Sequence, residues 1–344
     1  MKQTLLKVAR GVGLFALSRW LTRDRLRILC YHGIWDGPAP HYGDCLFMDA
    51  QRFAQRMQRL ADCGYRVISL DEAVKRQAQR TNRATDVVIT IDDAWLSTYR
   101  HMVPVLERHG YPATLYVTTY YTLAERPVLN VMLAYIVERA SNPLPWADLL
   151  PGVPVESRSG DRVARLVARV EALPTLEARH AEVRRIAELA GVDCAELERR
   201  GTFMLMNGEQ VRDASKRGID IQLHTHTHRM HDYVPERVED EVSLNRARLA
   251  EILGAAPEAF RHFCYPSGEY HPRVFDALRT RGVVSATTTE FGINEPGAEP
   301  LALKRILDCQ SFSDIEFEAR ICGFWSILVS SRSRLRTLFG RSSA

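Results

Sequence analysis

Two imidazoles four positions apart, His224 and His228, and two adjacent carboxylates, Asp92 and Asp93, are the side chains best placed to do chemistry. They lie in Leu223-His224-Thr225-His226-Thr227-His228 and in Ile89-Thr90-Ile91-Asp92-Asp93. Two histidines and one carboxylate can hold a single divalent ion and leave coordination positions open for water. Zinc suits such a donor set first, with cobalt, nickel or manganese as alternatives. Adjacent carboxylates repel unless something cationic separates their roles. An ion on one of them does so and leaves its neighbour free to take a proton from the attacking water. Capping a helix that starts near Trp95 would account for one aspartate but not both. The spacing of four predicts that His224 and His228 share one side of a helical turn. His226 between them should then point away, and His231 should lie at the surface.

Such groups need a scaffold that gathers strand ends. The 344 residues suffice for one large α/β domain or two ordinary ones. From Arg27 onward, apolar runs alternate with amphipathic stretches, which predicts β/α units and a parallel sheet. The predicted strands are 27–32, 66–70, 87–91, 113–117, 220–223, 262–265 and 283–287. Helices are predicted over 53–63, 99–109, 207–217, 238–253 and 274–281. Residues 121–203 break this rhythm: they are rich in Arg, Glu, Ala and Leu, with Pro143, Pro145, Pro151 and Pro154 among them. They read as a mostly helical insertion. The pattern predicts a distorted (β/α) barrel of seven strands over 27–322, with its chemistry at the C-terminal ends of the strands. His32, Asp92, Asp93, His224 and Pro266 all fall at or just after predicted strand ends.

These segments resemble a known family. Thr90-Ile91-Asp92-Asp93-Ala94 resembles the T-F-D-D-G motif of the polysaccharide deacetylases, the NodB-homology domain of carbohydrate esterase family four. His224-Thr225-His226-Thr227-His228 is similar to its H-T-x-x-H motif. Phe263-Cys264-Tyr265-Pro266-Ser267-Gly268 is similar to the F-x-Y-P-Y-G form of its third motif, which points to an exopolysaccharide-associated Y-P-x-G subgroup. Tyr111 to Val117 resembles P-A-T-x-F-V, and Cys30-Tyr31-His32-Gly33 resembles the Y-H-x start. The likeness covers roughly 27–122 and 203–310. It implies Asp92 as general base, Asp93, His224 and His228 as metal ligands, and the Ser267 backbone N–H as an oxyanion donor. It further implies a hydrolase that removes acetyl groups from N-acetylated sugars of a surface polysaccharide or its lipid-linked precursor.

The departures from the family pattern are specific. Ala94 replaces Gly, which is acceptable at negative φ. Cys264 stands where many members have the arginine that orients the catalytic aspartate, and Ser267 stands for Tyr. Leu301-Ala302-Leu303-Lys304-Arg305 matches the late L-x-L-x-H motif in frame, with Arg305 in place of the general-acid histidine. His32, beside Tyr31, is the candidate substitute acid, since histidine titrates nearest neutral pH. Arg305 is the candidate for the missing guanidinium.

The remaining sequence bounds partners and compartment. A net charge of +4 does not indicate nucleic acid. Basic residues concentrate at the ends: Lys2, Lys7, Arg10, Arg19, Arg23, Arg25 and Arg27 against Asp24 alone, then Arg332, Arg334, Arg336 and Arg341. Residues 1–26 are predicted to be a basic helix and 323–344 a basic tail. Either end could touch an anionic membrane surface, although in one continuous helix Arg19 and Arg23 would share the arc of Leu5, Val12 and Ala16. Seven cysteines without ligand-like spacing predict reduced thiols and a cytoplasmic protein, peripheral at most on the inner face of the membrane. Two other functions fit the same residues: an O-acetyl esterase on such glycans, and a catalytically lapsed glycan-binding scaffold. A non-haem iron oxygenase also uses two His and a carboxylate, but with a different spacing.

Overall fold

The computed structural model describes residues 2–154 and 158–329. Seven parallel strands form a closed ring: β1 (Ile28–Tyr31), β2 (Asp86–Ile91), β3 (Ala113–Val117), β4 (Ile219–Leu223), β5 (His262–Cys264), β6 (Ser285–Phe291) and β7 (Leu303–Leu307). β1 closes it, pairing Leu29 with Ile306 of β7 on one side and Leu29 with Ile89 of β2 on the other. Every residue of β1, β2 and β3 is buried, because helices cover the outside while side chains fill the inside. Parallel strands buried on both faces read as continuous apolar runs, which is why these were legible.

The strand count agrees with the sequence, but one member differs. The predicted strand 66–70 is only Arg66–Val67, paired to the outer edge of β2, and Leu70 already begins a helix capped by Ser69. The seventh barrel strand is β7, which carries Arg305.

The insertion is helical as expected and has its own core. Leu133, Ile136, Leu166, Val183 and Ile186 come together there, each side chain contributing about 1.5–3 kcal/mol by burial. Phe47, Trp95 and Phe203 join this core to the barrel mouth.

The N-terminal segment is two helices, not one. α1 (Lys2–Gly11) and α2 (Leu14–Leu21) are separated at Gly13, whose φ of 83° is left-handed. Their inner residues Leu6, Ala9 and Phe15 pack on a later helix, α3 (Asp314–Ile321). Phe324–Val329 is helical, and the basic tail beyond it lies outside the described residues. Among the described residues no helix is long and apolar enough to cross a membrane. The cysteines also differ from expectation, because Cys45 and Cys309 form a disulfide and the other five remain free.

Candidate metal centre at the barrel mouth

Asp93 follows β2, and His224 and His228 follow β4, two strands along the ring with β3 between them, so C-terminal strand ends on one side of the barrel mouth bring them together. Asp93 Oδ1 lies 3.2 Å from His224 Nε2 and 3.3 Å from His228 Nε2. Donors bound to one zinc ion at roughly 2.0–2.1 Å stand about this far apart, and all three donor atoms lie within 4.8 Å of one another. The tautomer also fits. His224 Nδ1 lies 2.8 Å from the Cys264 carbonyl and donates its proton there, which leaves the Nε2 lone pair facing Asp93. The residues present therefore suit a divalent ion.

The loop carrying the two histidines is not the helical turn expected from their spacing. Thr225 and His228 both have positive φ, 59° and 60°, and this irregular bend brings the rings together at 4.8 Å between centroids. A long helix, α4 (Pro235–Leu253), holds the bend in place. Its Asn245 Oδ1 accepts the His224 amide proton, and its Glu241 accepts from the Thr227 amide and hydroxyl. His226 points away onto the Thr119 hydroxyl, and His231 pairs with Glu241, so neither faces the centre.

Asp92 occupies a different environment one residue earlier. Arg305 grips it through two hydrogen bonds of 2.7 Å, one to each carboxylate oxygen, and both residues are buried. Burial alone would raise its pKa, but the guanidinium charge and its hydrogen bonds win and hold it at about 2. Burial likewise opposes ionisation of Asp93, and the hydrogen bonds of His224 and His228 overcome it, so that carboxyl also stays well below the usual range. Cys264 lies 3.2 Å from the same guanidinium, and its small side chain leaves room for Arg305 to arrive from β7. The guanidinium expected at position 264 is thus delivered by another strand.

His32 lines the same cavity, with Nε2 3.7 Å from Asp92 Oδ2. Tyr31 does not orient it. Successive strand residues point to opposite sides, and the Tyr31 hydroxyl bonds Asp308 instead. The Ser267 amide N–H has no hydrogen-bond partner among the described residues and lies on the cavity wall. Ser267 (φ 57°) and Gly268 (φ 70°) form a left-handed turn, and a Cβ on Gly268 would collide with the Thr289 side chain, so only glycine fits there. The cavity measures about 370 Å³, and the insertion supplies Tyr121, Asn130, Val131 and Glu171 to its wall. Glu171 reaches across to Arg229 at 2.7 Å, tying the insertion to the histidine loop.

Trp95 was not anticipated from sequence. Its indole N–H donates to Asp93 Oδ2 at 2.9 Å, so Oδ1 is the oxygen turned toward the imidazoles. Ala94 overturns the expectation of negative φ, for it sits at 68° directly after Asp93 at 71°. A left-handed non-glycine residue costs roughly 1–2 kcal/mol. Ala94→Gly should therefore raise stability by up to about 1 kcal/mol once the freer unfolded chain is counted. Thermal unfolding measures this, and a variant less stable than the parent would mean that packing of the buried Ala94 methyl outweighs the strain.

The chain is also similar in sequence and in fold to known proteins. Residues 198–286 match the family model for polysaccharide deacetylase. The Bacillus subtilis (strain 168) protein YxkH, named as a polysaccharide deacetylase, is 30% identical over 103 residues, or 29% of this chain. That stretch is 35% of YxkH, so the chain spans about a third of this curated relative. In fold the chain is similar to the Streptococcus pyogenes deacetylase PplD in complex with acetate, with a TM-score of 0.58 at 17% identity. The match covers 87% of this chain and 99% of PplD. It is similar also to IcaB from Ammonifex degensii, with a TM-score of 0.54 at 21% identity over 87% and 97% of the two chains. The stretch matched by the family model contains His224, His228 and Ser267, so the part of the chain that carries these residues is similar to the polysaccharide deacetylases.

Proposed function

We propose that the protein is a metal-dependent hydrolase that removes acetyl groups from N-acetylated sugars of a surface polysaccharide or its lipid-linked precursor. The observation that carries this reading is the clustering of Asp93, His224 and His228 donor atoms within 4.8 Å of one another, beside an ionised Asp92. A divalent ion on those three residues, zinc first, would polarise the acetyl carbonyl and lower the pKa of nearby water. Asp92, held in place by Arg305, takes a proton from the attacking water. The free Ser267 N–H donates to the oxygen that becomes negative as the carbonyl carbon turns tetrahedral. His32, in the same cavity, gives a proton to the leaving amine as the carbon–nitrogen bond breaks. Trp95 and the Cys264 carbonyl fix the two ligands they touch, and the insertion closes one wall around the sugar. A lapsed scaffold would have no use for the paired Asp92 and Arg305, because glycan binding needs neither.

The test is acetate release from a panel of N- and O-acetylated glycans, with zinc, with cobalt and after chelation. Release from the N-acetylated glycans, abolished by chelation and restored by metal, is the expected result. Acetate from O-acetylated glycans alone would make the protein an esterase, and none from any glycan would sink the enzyme reading. His224→Ala should fold, lose the ion and lose activity. Full metal occupancy in that variant would remove His224 from the ligand set.

A further inference from the structure

We infer that the α1–α2 hairpin is the face by which the protein lies on an anionic lipid surface. Of the twelve large apolar side chains that are exposed among the described residues, seven fall within residues 5–21: Leu5, Val8, Val12, Leu14, Leu17, Trp20 and Leu21. Leu5 is 65% exposed, Val12 68% and Trp20 57%, far beyond the scattered apolar exposure of an ordinary surface. Two more, Leu328 and Val329, lie where the described chain runs into its basic C-terminus.

The break at Gly13 makes this face usable. A single continuous helix would have put Arg19 and Arg23 among the apolar residues. With the phase reset, α1 presents Leu5 and Val8 outward, the turn exposes Val12, and α2 presents Leu14, Leu17 and Leu21. Arg19 turns inward, stacked 4.5 Å over the Tyr65 ring and bonded to the Cys63 carbonyl. Arg23 stacks over exposed Trp20 at 4.7 Å, an apolar body with a cationic tip suited to the depth of lipid headgroups.

Charge favours lipid over the alternatives. The nearby acids are already neutralised within the protein, Glu316 by Lys2 and Glu318 by Arg10. Lys7 and Arg23 remain exposed in the same segment. Residues 1–27 and 330–344 together hold eleven cations and one acid, whereas the rest of the chain is net acidic. A second copy docked here would bring Lys7 and Arg23 toward like charges, whereas anionic headgroups oppose these two cations and acyl chains take the leucines. The inference does not rest on the enzymatic reading.

Flotation of the purified full chain with vesicles tests it, using phosphatidylcholine alone or mixed with phosphatidylglycerol. The protein should float with the mixed vesicles, and raising salt to about 0.5 M should weaken this by screening. Leu17→Glu combined with Trp20→Glu should reduce binding about tenfold or more. Lys7→Glu with Arg23→Glu should reduce binding to mixed vesicles and blunt its salt response. Unchanged acetate release or circular dichroism would show that the variants fold; if the apolar pair does not, the charge pair and the wild-type lipid and salt comparison still decide. No binding to either vesicle overturns the inference. So does a wild-type dimer that Leu17→Glu splits and vesicles leave intact, for the occupant would then be a second copy.

Discussion

Replacing Arg305 by leucine should both loosen the barrel and disable hydrolysis, the largest combined effect expected from any single change at the site. The guanidinium bonds both oxygens of Asp92, the Thr90 hydroxyl and the Thr288 carbonyl, and all of these groups are buried. Removing it strands an ionised carboxylate in the barrel interior, a loss of about 3–5 kcal/mol for a buried pair broken on one side. Asp92 would then be driven toward its neutral form, which cannot accept a proton. Lysine should restore part of the charge but not the two-point grip, so activity should return less than stability. Chemical denaturation and acetate release, measured on both variants, check this. An Arg305→Leu protein with wild-type turnover would show that Asp92 needs no guanidinium.

The second large effect separates base from ligand. Asp92→Asn should keep the ion and lose roughly 10²–10⁴-fold in turnover, the usual worth of a general base. Asp93→Asn should lose ion and turnover together, since Asp93 Oδ1 faces both imidazoles. Metal content by elemental analysis, set beside turnover, distinguishes the two aspartates. Wild-type turnover in Asp92→Asn would move the base elsewhere, and His32, 3.7 Å from Asp92 Oδ2 in the same cavity, is the next candidate.

The barrel and the donor triangle were legible because they rest on local signals. Buried parallel strands are continuous apolar runs, and Asp92, Asp93, His224 and His228 sit where two such runs stop. Arg305 was harder, because its match to a histidine motif concealed that residues 303–307 form a strand and that the side chain crosses the barrel to β2. Trp95 was invisible as an Asp93 partner, since a tryptophan two residues past an aspartate reads as core. Asn245 and Glu241 left a signal that went unused: they are polar residues four apart, on the helix stripe of buried Val238, Val242 and Leu249. The positive φ at Ala94, Thr225 and His228 has no signature in residue type, because none of them is glycine. Such strained bends persist only where surrounding contacts impose them.

The Cys45–Cys309 bond has a consequence for where such a barrel can mature. Cys45 directly precedes Leu46, which lines the cavity, and Cys309 follows β7, the strand that carries Arg305. The bond therefore staples a wall of this cavity to the strand whose Arg305 holds Asp92. Bonds of this kind form and persist in oxidising surroundings. In a reducing cytosol both thiols would stay apart and the Leu46 wall would be held by packing alone. A cavity braced by this bond is thus a property of the chain only where its surroundings keep the two thiols oxidised.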